Sequence, residues 1–146
     1  MNILSVNKRA TFDYEITETF NAGIELTGHE AKSIKMGRIN IAGSHAIVRS
    51  GEIFLVGAET PPFQPKNAPE DYNAGRTKKL LLKKEEIKYI FGKLKGGLTL
   101  VPLKIYTNRG FVKVELGLGK GLKKHDKREL LKKRETEREI RGDVGL

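Results

Sequence analysis

Apolar and polar positions alternate over Thr11–Phe20, with Phe12, Tyr14, Ile16 and Phe20 on related faces, and this period of two predicts a half-buried strand. Gly23 is expected to break the run before Ile24-Glu25-Leu26. The period then changes. Thr27 or Gly28 can open a short helix, Ala31 and Ile34 share a face, and Gly37 closes it. Ser44–Thr60 reads as a hairpin, with apolar residues on both sides of a Ser50-Gly51 turn. Lys84–Leu94 carries Ile87, Ile90, Phe91 and Leu94 at helical spacing and stops at Gly96-Gly97. Leu98–Gly119 is the clearest hairpin, two alternating strands around Thr107-Asn108-Arg109-Gly110, with Pro102 marking an edge or a bulge.

Between these elements, Thr60–Gly75 holds four of the five prolines together with Asn, Asp and Gly, so it is a long loop of the kind that is often functional or mobile. Arg76–Leu82 after it contains a short strand. Short, mostly antiparallel strands with two interposed helices imply a mainly β fold, a small OB-type barrel, with a split αβ sandwich as the competing architecture. One domain accounts for 146 residues.

Composition narrows the class. There are no cysteines, which removes disulfides and cysteine-based zinc sites and fits a cytoplasmic protein. No signal-peptide pattern or apolar run of about 18 residues occurs. The net charge is +10, which asks for a polyanionic partner, nucleic acid ahead of a membrane surface. From Gly119 onward ten Lys or Arg face six Asp or Glu, net +4, leaving +6 on residues 1–118. Both parts are basic.

Catalytic and metal groupings are not expected. His29, His45 and His125 are scattered, Glu18, Glu25 and Glu30 suit ion pairs better than an acid–base dyad, and Gly-Leu-Gly-Lys-Gly lacks the spacing of a phosphate-binding loop. Basic blocks beside aromatics are better represented: Asn7-Lys8-Arg9 before Phe12 and Tyr14, Arg76-Thr77-Lys78-Lys79 before Leu80, and Lys32 and Lys35 on the first helix. Such a surface suits a nucleic-acid backbone with unpaired bases stacked nearby. A single lysine more often solvates a strand edge. The blocks favour binding.

The last stretch, Gly119–Gly142, has helical spacing but few apolar residues. At roughly 100° per residue, Lys120, Lys123, Lys124, Lys127, Arg134, Arg138 and Arg141 share about a third of a wheel, a stripe able to follow phosphates. Its i,i+4 pairs, Glu129–Lys133 and Glu137–Arg141, contribute only ~0.2–0.5 kcal/mol each against an ordering cost of ~1–2 kcal/mol per residue. The tail is therefore expected to be disordered alone and to fold on its partner. It lacks the seam of a coiled coil and the apolar anchors of a membrane-surface helix.

Four stretches, Asn7–Ile16, Gly28–Ser44, Arg76–Leu82 and Lys120–Glu129, stand in the order and spacing of the SsrA-binding protein family, and the chain resembles that family from Asn7 to about Arg141. The resemblance implies a six-stranded antiparallel OB-like barrel over 1–121 with flanking helices, and a basic tail over 122–146, helical when bound. It implies a monomer without a cofactor that binds the tRNA-like part of tmRNA and brings it, with elongation factor Tu engaged indirectly, to stalled ribosomes. A general structured-RNA-binding or ribosome-associated protein is the alternative. Carried over by motif, Asn7, Lys8, Arg9, Asn21, Glu30, Lys32, Arg76, Lys78, Lys79 and Leu80 belong to the tmRNA-binding face, and Gly121 to the hinge. Lys123, Lys124, His125, Asp126, Lys127 and Arg128 would meet small-subunit rRNA at the decoding centre, with Lys132, Lys133, Arg134, Arg138 and Arg141 beyond it. The chain departs from the family pattern at Phe12, Asn21, Thr107 and Leu122, Asn21 standing where an acid is usual.

Overall fold

Strands this short cannot bury a face alone, and they do so here by closing on one another. The computed structural model describes residues 1–122 together with Arg128 and Lys132. Strands β1 (Asn2–Val6), β2 (Tyr14–Ile24), β3 (His45–Arg49), β4 (Glu52–Val56), β5 (Lys78–Leu81), β6 (Thr99–Asn108) and β7 (Phe111–Gly121) are joined by helices α1 (Ala10–Asp13), α2 (Gly28–Lys35) and α3 (Lys84–Lys95). Every pairing is antiparallel. β6, β3, β4, β5, β2 and β7 pair in that order, and β7 pairs back onto β6, so six strands close a barrel.

The seventh strand lies outside that ring. β3 takes only Leu100 of β6, and β1 takes the same edge further along, at Lys104–Thr107. The sequence reading contained the six ring strands and not β1, because Asn-Ile-Leu-Ser-Val lacks both alternation and a flanking turn. The competing αβ sandwich does not close its sheet and is set aside. Ile53, Leu55, Leu80, Leu100, Leu116 and Leu118 fill the interior, each about 1% exposed or less, and Ile34 of α2 and Ile90 of α3 plug it from outside.

The helix and turn expectations hold at particular residues. Thr27 and Glu30 form a reciprocal capping box that starts α2, and Gly37 ends it at φ 79°. Ser50-Gly51 and Arg109-Gly110 have positive φ in both turn positions, the backbone that a tight hairpin with right-handed twist requires. The register shifts between Pro102 and Lys104, the bulge that Pro102 announced.

Two expectations are corrected. Thr11–Asp13 belong to α1 rather than to a strand, because Asn7 Oδ1 accepts from the Ala10 amide at 3.2 Å and bends the chain before β2 can start. Gly23 does not break β2, which runs on to Ile24 between β5 and β7. A Cβ at Gly23 would lie 3.3 Å from the Leu81 Cβ, so the glycine lets the β5 side chain lie across the strand.

The 60–75 loop contains only one 3₁₀ turn, Pro65–Asn67, yet it is strapped down. Ser33 Oγ donates to Pro61 O (2.6 Å), Tyr72 Oη to Thr60 O (2.6 Å), and the Phe63 amide to His29 Nε2 (2.9 Å). Among the described residues no helix is long and apolar enough to cross a membrane, and no group of three His, Cys, Asp or Glu could hold a metal.

Candidate nucleic-acid interface

The expected residues fall in distinct places, and the first is built on a buried carboxylate. α2 opens with Thr27, so Glu30 at its third position turns back and accepts from the Thr27 amide at 2.9 Å. Its oxygens also receive Arg76, Nε to Oε2 at 3.0 Å and Nη2 to Oε1 at 2.7 Å, and Lys78 Nζ lies 3.6 Å away. Glu30 is 1% exposed and Lys78 0%. Burial alone would push the Glu30 carboxyl up, but the Arg76 hydrogen bonds, the Thr27 amide and the Lys78 charge outweigh it and hold the group below its ordinary 4.5. Burial pushes the Lys78 ammonium down, and Glu30 opposes this only in part.

Arg76 is the member that reaches water. Its side chain is 39% exposed while the Glu30 side chain is 2% exposed. Four of its five N–H donors are used inside the protein, two on Glu30, one on Glu25 O (3.2 Å) and one on Thr77 O (3.3 Å). The guanidinium is thus fixed in orientation with one donor and an exposed edge left for a phosphate or a base. Glu30 holds this arginine through its carboxylate and Lys78 through Arg76 O (Nζ donating at 3.1 Å), and both are buried, as is Leu80 in the barrel core. Lys32 is exposed on α2, and Lys79 is half-buried on β5 with Nζ 2.8 Å from Glu52.

The second place is the chain's N-terminal bend. Asn7 is buried, and its amide donates to Pro102 O (2.9 Å) and Ile41 O (3.3 Å), so its role is to hold the bend. Lys8 and Arg9 are exposed beside it, with Arg9 3.7 Å from Asp13. The tail departs at this same bend. Gly121 pairs with Tyr14, and the Leu122 amide donates to Asp13 O at 2.9 Å. The two places are tied by the segment after α2: Ser5 Oγ donates to Ile39 O, and Asn7 reaches Ile41 O.

Asn21 occupies a third place, exposed on β2 opposite Glu115, where Oδ1 accepts from the buried Tyr106 hydroxyl at 2.8 Å. Glu115 in turn pairs with Lys104 at 3.0 Å. Of the other departures from the family pattern, Phe12 is exposed on α1 and Thr107 pairs with Asn2 of β1. Arg128 and Lys132 are helical and exposed, whereas Lys123, Lys124, His125, Asp126, Lys127, Lys133, Arg134, Arg138 and Arg141 lie outside the described residues, as does the expected folding of the tail.

Sequence reasoning missed the strap. His29 and Tyr72 stack edge-on at 5.1 Å beside Glu30, and Ser33 anchors Pro61, so the long loop forms a wall of the Arg76 place. The Thr27-x-x-Glu30 spacing was the available signal, since a capping box turns its acid back toward the chain that precedes the helix. Nothing in the local sequence announces that a histidine 34 positions before Phe63 will receive its amide.

The SmpB protein family model matches residues 4–145. The SsrA-binding protein of Trichormus variabilis is 48% identical over 139 residues, covering 94% of this chain and 90% of that protein. Its counterpart in Synechococcus elongatus is 48% identical over 145 residues, covering 99% and 94%. A chain of a solved structure described as "tmRNA-SmpB: a journey to the center of the bacterial ribosome" is 42% identical, with TM-score 0.66, covering 87% of this chain and 93% of that one.

Proposed function

The chain belongs to the SmpB protein family, and on that premise we propose that it binds the tRNA-like part of tmRNA and takes it to stalled ribosomes for trans-translation. The observation that carries this reading is the 42% identity, with 87% of the chain covered, to a chain whose structure is described in terms of tmRNA-SmpB and the bacterial ribosome. The geometry supports it: a rigid barrel presents an oriented Arg76, exposed Lys32, and the Lys8-Arg9 bend from which the tail departs.

In this reading the protein works by binding alone, as a monomer in the cytoplasm, with no cofactor and no catalytic residue. Residues 1–121 hold tmRNA and residues 122–146 hold the ribosome. Arg76, Lys8, Arg9, Lys32 and Lys79 make RNA contacts, while Glu30, Asn7 and Lys78 position them and Leu80 anchors β5 in the core. Gly121 is the hinge. The tail from Lys123 through Arg128 meets the decoding centre, and Lys132 through Arg141 continue along the empty message channel. Elongation factor Tu is engaged only through the charged tmRNA.

Gel shifts against tmRNA, bulk tRNA and a random RNA duplex at one salt concentration test this reading. Clear preference for tmRNA is expected, and equal affinity for all three would leave only sequence-independent electrostatic binding. A chain ending at Leu122, which keeps the Asp13 O bond, should hold tmRNA but fail to support peptide tagging. Tagging by that truncated chain would refute the division of labour.

A further inference from the structure

A groove of about 340 Å³ lies between α3 and the turn joining β3 to β4, lined by Val48, Ser50, Gly51, Lys84, Ile87, Lys88 and Phe91. Its helical wall is one stripe. Residues 84, 87, 88 and 91 follow the i, i+3, i+4, i+7 spacing of a single face, and the sequence along it is Lys, Ile, Lys, Phe. Phe91 is 43% exposed, and Lys95, one turn on, places Nζ 4.4 Å from its ring centroid. The acids of α3, Glu85 and Glu86, fall off the stripe, and Glu86 accepts from the Lys83 amide at 3.1 Å. Glu52 beside the turn is engaged by Lys79. An apolar floor with one aromatic is therefore rimmed by cations and by no unengaged carboxylate of α3's own stripe.

We propose that this groove is a second RNA site, taking an unpaired nucleotide, with the base against Ile87 and Phe91 and the flanking phosphates on Lys84 and Lys88. Charge decides against the chain's own tail, which from Gly119 onward is net +4 (ten basic, six acidic residues) and is repelled by the same rim. Size decides against a folded protein. A stable protein interface buries about 800 Å² on each side, whereas this groove accepts an object of one or two nucleotides. Stacking of bases on an exposed aromatic, with lysines following the backbone, is the general mode of single-strand binding. The site is separate from the Glu30–Arg76 cluster, so it stands or falls independently of the tmRNA reading.

The test must be local, because the basic tail will also bind any oligonucleotide. Titrating the isotope-labelled full chain with hexauridylate should move the amide signals of Val48, Gly51, Ile87, Lys88 and Phe91 with one common affinity. Phe91→Ala should weaken that local affinity roughly tenfold while Phe91→Tyr retains it. The Lys84→Gln/Lys88→Gln pair should flatten its salt dependence by about 1.4 in log–log slope. Signals that move only outside this groove would overturn the proposal, as would an affinity indifferent to Phe91→Ala. Equally tight binding of a hexaglutamate peptide would replace the nucleotide with an acidic protein segment.

Discussion

Arg76 and Glu30, 46 positions apart, are joined by two charge-assisted hydrogen bonds of 3.0 and 2.7 Å, one from Nε and one from Nη2. The bond pair couples the start of α2 to the entry of β5 and sets the plane of a guanidinium whose other side faces water. A buried ion pair of this kind is weak evidence for stability, since desolvation offsets much of the attraction. Its value here is geometric. With one donor uncommitted, the arginine arrives at a partner already oriented and loses little rotamer freedom on binding.

Removing the carboxylate should therefore be costly in two ways. Glu30→Gln keeps the shape but leaves the fully buried Lys78 without a counter-charge. Loss of one buried partner typically costs about 3–5 kcal/mol, and the lower end applies because Arg76 retains access to water. Urea denaturation measures it, and a change below about 1 kcal/mol would contradict the account. Arg76→Ala should cost less stability and more tmRNA affinity, a split that separates the positioning residue from the contacting one.

Acid stability follows from the same carboxylate. Its folded pKa lies below the ordinary 4.5, so the unfolded chain binds the proton more readily. The stabilisation from ionised Glu30 is then fully present above about pH 4.5 and is lost as pH falls through the folded value. Thermal midpoints measured from pH 6 downward should fall more steeply below 4.5 in the wild type than in Glu30→Gln. Parallel curves would mean that Glu30 is not depressed.

What the sequence made legible was whatever a short window decides. Thr27 to Gly37 carries its own start and stop, and Ser50-Gly51 and Arg109-Gly110 carry turns that force hairpins. The barrel followed, since such hairpins have few other ways to hide their edges. Residue type alone says which side chains could meet RNA, not which of them the fold leaves exposed. A lysine in a basic block reads as surface, yet Lys78 is wholly buried, because its partner is an acid 48 positions earlier in the chain (78 minus 30). Asn7 likewise reads as a polar contact but is consumed by Pro102 O, 95 positions away. Thr11–Asp13 alternate as a strand would, but the Asn7 side chain accepts from the Ala10 amide and the Phe12 and Asp13 amides donate to Arg9 O, which turns the chain.

The tail exit distinguishes two glycines. A Cβ at Gly119 would lie 2.5 Å from Glu15 O, a contact with backbone that no rotamer relieves, whereas at Gly121 the nearest atom, Tyr14 Cε1, is 3.9 Å away. Gly119→Ala should lower stability by about 1–3 kcal/mol, the usual cost of forcing atoms into a packed site. Gly121→Ala should lie within about 0.5 kcal/mol of wild type. A tagging defect in the folded Gly121→Ala protein would then report lost hinge freedom after β7, which calorimetry alongside a tagging assay resolves. Equal destabilisation by both would remove that reading.

Asn21 stands where the family resemblance expects an acid, and its surroundings say what the amide preserves. Oδ1 accepts from the Tyr106 hydroxyl at 2.8 Å, which either an amide or a carboxylate can do. The difference is Glu115, directly opposite on β7, beside which a second carboxylate would be a like-charge cross-strand pair costing about 0.2–1 kcal/mol. Lys104 pairs with Glu115 at 3.0 Å and would be shared between the two acids. Asn21→Asp should thus keep its stability within that range and change tmRNA affinity less than about threefold, because the acceptor that orients Tyr106 remains. Asn21→Ala removes the acceptor that the Tyr106 hydroxyl uses and should cost about 0.5–1.5 kcal/mol. If filter binding instead shows Asn21→Asp altering affinity tenfold while Asn21→Ala is silent, the side-chain charge and not the Tyr106 bond is what the RNA reads.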